Sequence, residues 1–286
     1  MRRAPDQGVV LINVLVILAL TASVVYAMVS LSDLSITRSQ RFSAAGQAQA
    51  LIAAGEASAI VALRRDMTDA PKTDHPLEPW GQTGQAEVAI AGGSFALKIE
   101  DAQRLFNLNA VPTGGALGLQ ILRRIVASLD LPPDAGPRIA ARLAQPVPLL
   151  RLADLVAEAG LRPEDVLRLA DLATVLPGRA DININTAPAA LLAVIADNPV
   201  QARRLEGIRT RNGFLTPADV ATAQVILPPG VGFVSRFFQV TITVTVDGTT
   251  QKMETLLQRR PGQDGAPEVV AVLRQVPLGM IAPLPE

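Results

Sequence analysis

Residues 9–31 read VVLINVLVILALTASVVYAMVSL, an apolar run of 23 residues without a charge. As an α-helix this run would be about 35 Å long, enough to cross a bilayer. Its polar interruptions are Asn13, Thr21, Ser23, Tyr26 and Ser30, and Arg2 and Arg3 ahead of it favour a cytoplasmic N-terminus. The run is longer than the roughly 7–15-residue core of a secretory signal peptide. The chain also does not break into a loop after it. Residues 33–66 are rich in helix formers, with Gly46 and Gly55 as the glycines and no proline. Leu34, Phe42, Ala45, Ala48, Ile52, Ile60 and Leu63 recur at roughly helical spacing, which predicts one apolar face. Arg38, Arg41, Arg64 and Arg65 are expected on the wet face. The expectation is a single helix over residues 9–66, with a transmembrane half over 9–31 and an amphipathic half beyond.

Composition narrows the function. Hydrophobic residues are 49% of the chain and charged residues 18%, too apolar for a disordered protein. The 26 basic and 26 acidic residues cancel, so bulk attraction to nucleic acid is not expected. The absence of cysteine excludes disulfides, thiolate metal sites and cysteine nucleophiles. His75 is the one histidine, set between Asp74 and Pro76, so a histidine metal cluster is excluded. Its surroundings predict a solvated side chain. No Gly-x-Ser-x-Gly elbow, phosphate-binding loop or dinucleotide-binding turn occurs. An enzyme is not expected.

Beyond the long helix, residues 66–84 read as a loop, with Pro71, Pro76, Pro79 and Gly81 expected to break regular structure. Residues 85–91 and 94–100 predict a half-buried hairpin joined near Gly92-Gly93. It runs into Phe106-Asn107-Leu108-Asn109, where asparagine side chains can bond nearby backbone and fix a turn. Residues 111–229 read as helical, with segments at 117–129, 137–143, 149–159, 163–172, 187–195, 200–210 and 217–225. Within them lies Asp181-Ile182-Asn183-Ile184-Asn185-Thr186-Ala187, where Asn185 or Thr186 suits an N-cap for the next helix. Strands return at 238–246, with Asp247-Gly248 as a hairpin turn, and at 252–258 and 268–275. The proline-rich end is expected to be loosely held.

Several of these motifs resemble one family. Arg2-Arg3-Ala4-Pro5-Asp6-Gln7-Gly8 before the apolar run resembles the class III leader of type IV pilins and pseudopilins. Leu77-Glu78-Pro79-Trp80-Gly81, the Phe106-Asn107-Leu108-Asn109 strand exit and the Asn183 to Ala187 motif are similar, in this order, to those of K-type minor pseudopilins of type II secretion. The resemblance covers essentially the whole chain. It implies an α+β fold: a spine helix, a pilin-like antiparallel sheet and a large all-α domain inserted between its strands. The implied segments are a leader (1–8), spine (9–66), first β part (67–110), inserted α domain (111–230), second β part (231–275) and flexible tail (276–286).

It further implies cleavage between Gly8 and Val9 by a prepilin peptidase and methylation at Val9. Asn13 is then the fifth mature residue, where most family members carry Glu and the K-type characteristically does not. Such a subunit is expected at the filament tip, because it offers no anion to the amine of a subunit above. Trp80, Phe106, Asn107, Asn109, Asn183, Asn185 and Thr186 are expected to be structural. The implied location is the inner membrane, with a periplasmic body. The implied partners are I-type and J-type minor pseudopilins, other pseudopilins, and the secretin or a secreted substrate. No cofactor is expected. The resemblance admits calcium, but no Asp-x-Asp-x-Asp-Gly loop occurs and no ligands are assigned.

Two other readings compete. The Asn183 to Ala187 motif also resembles helix-hairpin-helix DNA-binding modules, with Arg203, Arg204, Arg209 and Arg211 as a basic cluster. Against this, the corresponding turn, residues 196–199, has no glycine and adds a carboxylate. A generic signal-anchored domain is the other, and a mature start at Met28 would mark a conventional signal.

Overall fold

The computed structural model describes residues 7–83, 87–196 and 198–276. Residues 1–6 of the expected leader, Gly84 of the expected loop, residues 85–86 at the start of the first expected strand, Asp197 of the turn at 196–199 and residues 277–286 of the expected tail lie outside the described residues.

The chain opens with α1 (Gln7–Asp69), which runs unbroken through the apolar stretch. Then come the one-turn helix α2 (Pro79–Gln82) and strands β1 (Val88–Ile90) and β2 (Gly93–Asp101). A block of short elements follows: β3 (Phe106–Asn107), α3 (Val111–Ser128), α4 (Ala135–Leu143), α5 (Asp154–Glu158), α6 (Pro163–Leu169), β4 (Ala173–Thr174) and β5 (Ile182–Asn183). It continues through α7 (Ala189–Ala196), α8 (Pro199–Asn212), α9 (Pro217–Thr222) and β6 (Val231–Gly232). Strands β7 (Phe237–Val246), β8 (Thr249–Pro261) and β9 (Pro267–Gln275) close the fold.

The sheet order is β1-β2-β7-β8-β9, with every neighbour antiparallel. The helical block therefore interrupts a sheet whose flanking strands still pair directly, from Gly93 opposite Val246 to Asp101 opposite Phe238. Burial on β7 alternates as period two demands, with Phe238, Val240, Ile242, Val244 and Val246 turned to the core. Asp247 (φ 47°) and Gly248 (φ 76°) make the expected tight turn.

The amphipathic half of α1 covers this face. Ala44, Ala48, Ile52, Gly55, Ala59, Leu63 and Asp66 are buried, at steps of four and three that keep one stripe on one side. They pack on β7, β8 and β9. A Cβ at Gly55 would come within 3.0 Å of the Phe95 ring and 3.2 Å of Ile242, so the helix approaches the sheet closely there. The predicted stripe needs correction at its start. Leu34 is exposed and Phe42 is 81% exposed, because the sheet ends at the Asp247 turn, beside Gln40, Arg41 and Ala44. The 18-residue apolar window of the stem is 0% buried in the chain and is long and apolar enough to span a membrane.

The helical block has its own core, built around Leu108, Ile121, Leu122, Ile125, Ile139, Leu155, Leu169, Ile184 and Leu191. It leaves the sheet at Asp101 and rejoins it at Phe237, the end next to Asp66 and farthest from the apolar stem. Two local expectations fail here. Residues 149–153 are not helical, because the Asn109 side chain accepts from the Leu149 amide (3.0 Å) and donates to its carbonyl (2.9 Å), holding that backbone open. Pro79 starts a helical turn instead of breaking one, since a first-turn proline lacks only an amide that needs no partner.

Candidate functional site

Two regions carry the residues singled out in the sequence. The first is the stem. Gly8 and Val9 lie within α1, and Asn13 is one turn further on, exposed with the rest of the apolar face.

The second is the joint between sheet and block, where the motif residues act as fasteners. Asn107 accepts from the amides of Asn109 (3.1 Å) and Leu176 (3.0 Å) and donates to the Gly178 carbonyl (2.8 Å). Asn109 reaches Leu149 and the Leu176 carbonyl, while Phe106 joins the block's core. Asn183 donates to the Asp74 carbonyl, to Asp101 Oδ2 and to Ser235 Oγ, at 2.9, 2.9 and 3.0 Å. The Thr186 hydroxyl donates to Asp101 Oδ2. Asn185 accepts from the Leu215 amide (2.6 Å) and donates to its carbonyl (3.1 Å). The N-cap expectation for Asn185 and Thr186 is thus overturned. The next helix starts only at Ala189, and both side chains are bonded to residues far along the chain.

Asp101 is the hub. It is buried, and Gln103 N, Asn183 Nδ2, Thr186 Oγ1 and Ser235 Oγ all donate to it. None of these donors is a cation, so burial pushes its carboxyl up to about 6. Gln103 stitches the same joint, donating to the Asp181 carbonyl and accepting from the Arg236 and Phe237 amides.

Beside this hub lie residues that sequence reasoning missed. The Arg259 guanidinium, over the Phe238 ring at 4.2 Å, donates to Asp66 at 2.6 Å and to Asp74. Asp66, Asp74 and Glu78 bring carboxylate oxygens within 4.8 Å of one another. Calcium needs six to eight oxygens, and here the guanidinium already bridges two of the three carboxylates. The trio does not fit a calcium site while Arg259 is in place. Arg259 lies 185 and 193 positions from Asp74 and Asp66, so no local pattern could have signalled the pairing.

His75 also departs from expectation. Its side chain is 12% exposed and stacks on Phe214 at 4.1 Å, so it is not solvated. Trp80 donates its indole N–H to Glu78 at 2.6 Å and meets Phe238 edge-on at 5.0 Å.

The basic cluster on α8 is smaller than it reads. Arg204 donates to the Ala223 carbonyl, and Arg209 to those of Ile184 and Ala187. The Val200 and Gln201 amides at the start of α8 are taken by Asn198 Oδ1. These are groups that a helix-hairpin-helix module would offer to phosphate.

No protein-family model matches the chain. The type II secretion system protein K of Pseudomonas aeruginosa is 28% identical over 313 aligned residues, covering 95% of this chain and 93% of that protein. Among solved structures, a chain of the GspK–GspI–GspJ complex from the enterotoxigenic Escherichia coli type 2 secretion system matches with a TM-score of 0.63. That match is 21% identical over 84% of this chain and 98% of that chain, and it shows a shared fold. An apolar stem, a sheet interrupted by a helical block and asparagine motifs locking the two together stand beside these likenesses: along nearly its whole length the chain is similar to the type II secretion system protein K, and it shares the fold of a chain of the GspK–GspI–GspJ complex.

Proposed function

We propose that this chain sits at the tip of the pseudopilus and helps to initiate or cap its assembly. The observation that carries this is Asn13 in a stem with no acidic residue from Val9 to Leu31. In a packed bundle of such stems, the terminal ammonium of a subunit above needs an anion, because an unpaired buried charge is strongly destabilising. This stem offers none, so it is a poor seat for a successor and a suitable last position. The helical block supports the same reading. It lies at the end of the body away from the stem, where a tip has room for it.

Cleavage between Gly8 and Val9 by a prepilin peptidase, methylation of the new amine, and an inner-membrane anchor with a periplasmic body belong to the same proposal. So do I-type and J-type partners, which the GspK–GspI–GspJ assembly supports. The role is structural and not enzymatic.

The test is the location of the subunit in purified fibres, together with the mass of its mature N-terminus. We expect label at fibre ends and a chain that starts at methylated Val9. Asn13→Glu should insert in the membrane and be tolerated or enter the shaft. A chain intact from Met1, or wild-type label along the whole fibre, overturns the proposal.

A further inference from the structure

The segment around residues 74–80 bridges two bodies. On one side, the His75 ring lies flat on Phe214, between α8 and α9, at 4.1 Å and 10°. On the other, Trp80 meets Phe238 of the central strand. Glu78 joins them. Its Oε2 accepts from the Trp80 indole (2.6 Å) and from the His75 amide (3.1 Å). Its Oε1 has no hydrogen bond and faces His75 Nε2 at 3.3 Å, and His75 Nδ1 is buried without a partner. The helical block therefore reaches the sheet here through a histidine–carboxylate pair.

The charges around the pair do not balance. α1 contributes Asp66, the bridging segment Asp74, and β8 the cation Arg259, which is bonded to both aspartates. From β2 comes Asp101, held by neutral donors. On the block's side, the Arg209 guanidinium is engaged with the Ile184 and Ala187 carbonyls. Among the described residues, Glu78 thus sits beside carboxylates and forms no ion pair with an arginine or lysine.

We propose that His75 and Glu78 form a proton-dependent latch between the helical block and the sheet. The latch is held shut when the pair carries one extra proton and is loosened when that proton leaves. With the proton, Glu78 Oε1–H donates to His75 Nε2 and the pocket loses one negative charge. Without it, the carboxylate is buried near two others and gains by opening to water. The same burial pushes Glu78 up to about 7 and lowers His75, so the proton belongs to the carboxyl. The latch is distinct from tip placement and needs no partner subunit.

The sign follows from linkage. A carboxyl that titrates near 7 when closed and near 4.5 when open favours the closed state below pH 7 and loses that preference above it. From pH 8 to pH 6 the closed-to-open ratio rises about tenfold.

The experiment is amide hydrogen exchange by mass spectrometry on the full chain in detergent micelles, corrected for the intrinsic pH dependence of exchange. We expect protection in peptides covering 74–83 and 213–216 to be about tenfold greater at pH 6 than at pH 8. Peptides around the Asp247 turn should not change. Glu78→Gln can donate to His75 Nε2 and still accept from Trp80, so it should give the pH 6 protection at both pH values. A wild-type profile flat within about twofold overturns the latch whatever the variant does. So does a uniform change along the chain, or a Glu78→Gln chain that keeps the full pH response.

Discussion

Arg259→Met is the most direct probe of the charged joint. The guanidinium is buried, bonded to Asp66 and Asp74, and stacked over Phe238. Methionine keeps much of the apolar volume but leaves two buried carboxylates without their cation. Breaking a buried pair by removing one partner costs about 3–5 kcal/mol, and two stranded acids place this case at the upper end. The loss should depend on pH. Burial already pushes the Asp66 carboxyl up to about 6 against the pull of Arg259, and without the guanidinium it rises further. The penalty is therefore full above the folded pKa and disappears as protons bind at lower pH. Wild type also gains on acidification through Asp66, so only the further rise counts; a tenfold gain in proton affinity is worth about 1.4 kcal/mol, and going from pH 7.5 to pH 5 should shrink the penalty by about 1–2 kcal/mol. Urea unfolding of the detergent-solubilised chain measures this. Trp80 is the one tryptophan and packs against Phe238, so its emission reports on the joint itself. Arg260→Met is the internal control: the next residue along β8 points outward, pairs with Glu268 at the exposed edge and should show no measurable change. A loss under about 1 kcal/mol at pH 7.5, or one that does not shrink on acidification, refutes the reasoning.

The helix–sheet contact and the Asp101 hub can be probed in the same way. Gly55→Ala should lower stability by about 1 kcal/mol, since crowding against Phe95 and Ile242 outweighs the gain in helix propensity. Gly46→Ala, with nothing within 4 Å of the added Cβ, should raise it by a similar amount in the isolated chain; thermal unfolding of both variants decides. Asp101→Asn should remove a pH response: the Asp101 carboxyl is pushed up to about 6, above its ordinary 3.8, so its contribution is full below 3.8 and lost as pH rises through 6. Wild type should therefore gain about 2 kcal/mol on the variant between pH 7.5 and pH 4.5, as read by urea titration at each pH.

What was legible in the sequence was local. The stem, the Asp247-Gly248 turn and the alternation along β7 each rest on neighbours in the chain, and each is present. The same holds for Asn107, whose bond to the Asn109 amide was readable two residues away. What failed was decided by distant atoms. Leu34 and Phe42 have the spacing of a buried face, but the sheet that would cover them ends at Asp247. Residues 149–153 have helical composition but are held open by Asn109. His75 looked solvated because Phe214, which covers it, lies 139 positions on. The joint shares this cause. Asp74, Asp101, Ser235 and Arg259 are ordinary in their local windows and acquire meaning only when four segments meet.

The direct ladder between β2 and β7 has a consequence for how the chain reaches its native state. Residues 93–101 cannot find 238–246 until everything between has been synthesised, and closing so long an open loop costs about 4 kcal/mol of chain entropy. A block that condenses first, around its own separate nucleus, brings its two ends side by side and removes most of that penalty. Softening mutations deep in the block should then delay completion of a sheet they never touch.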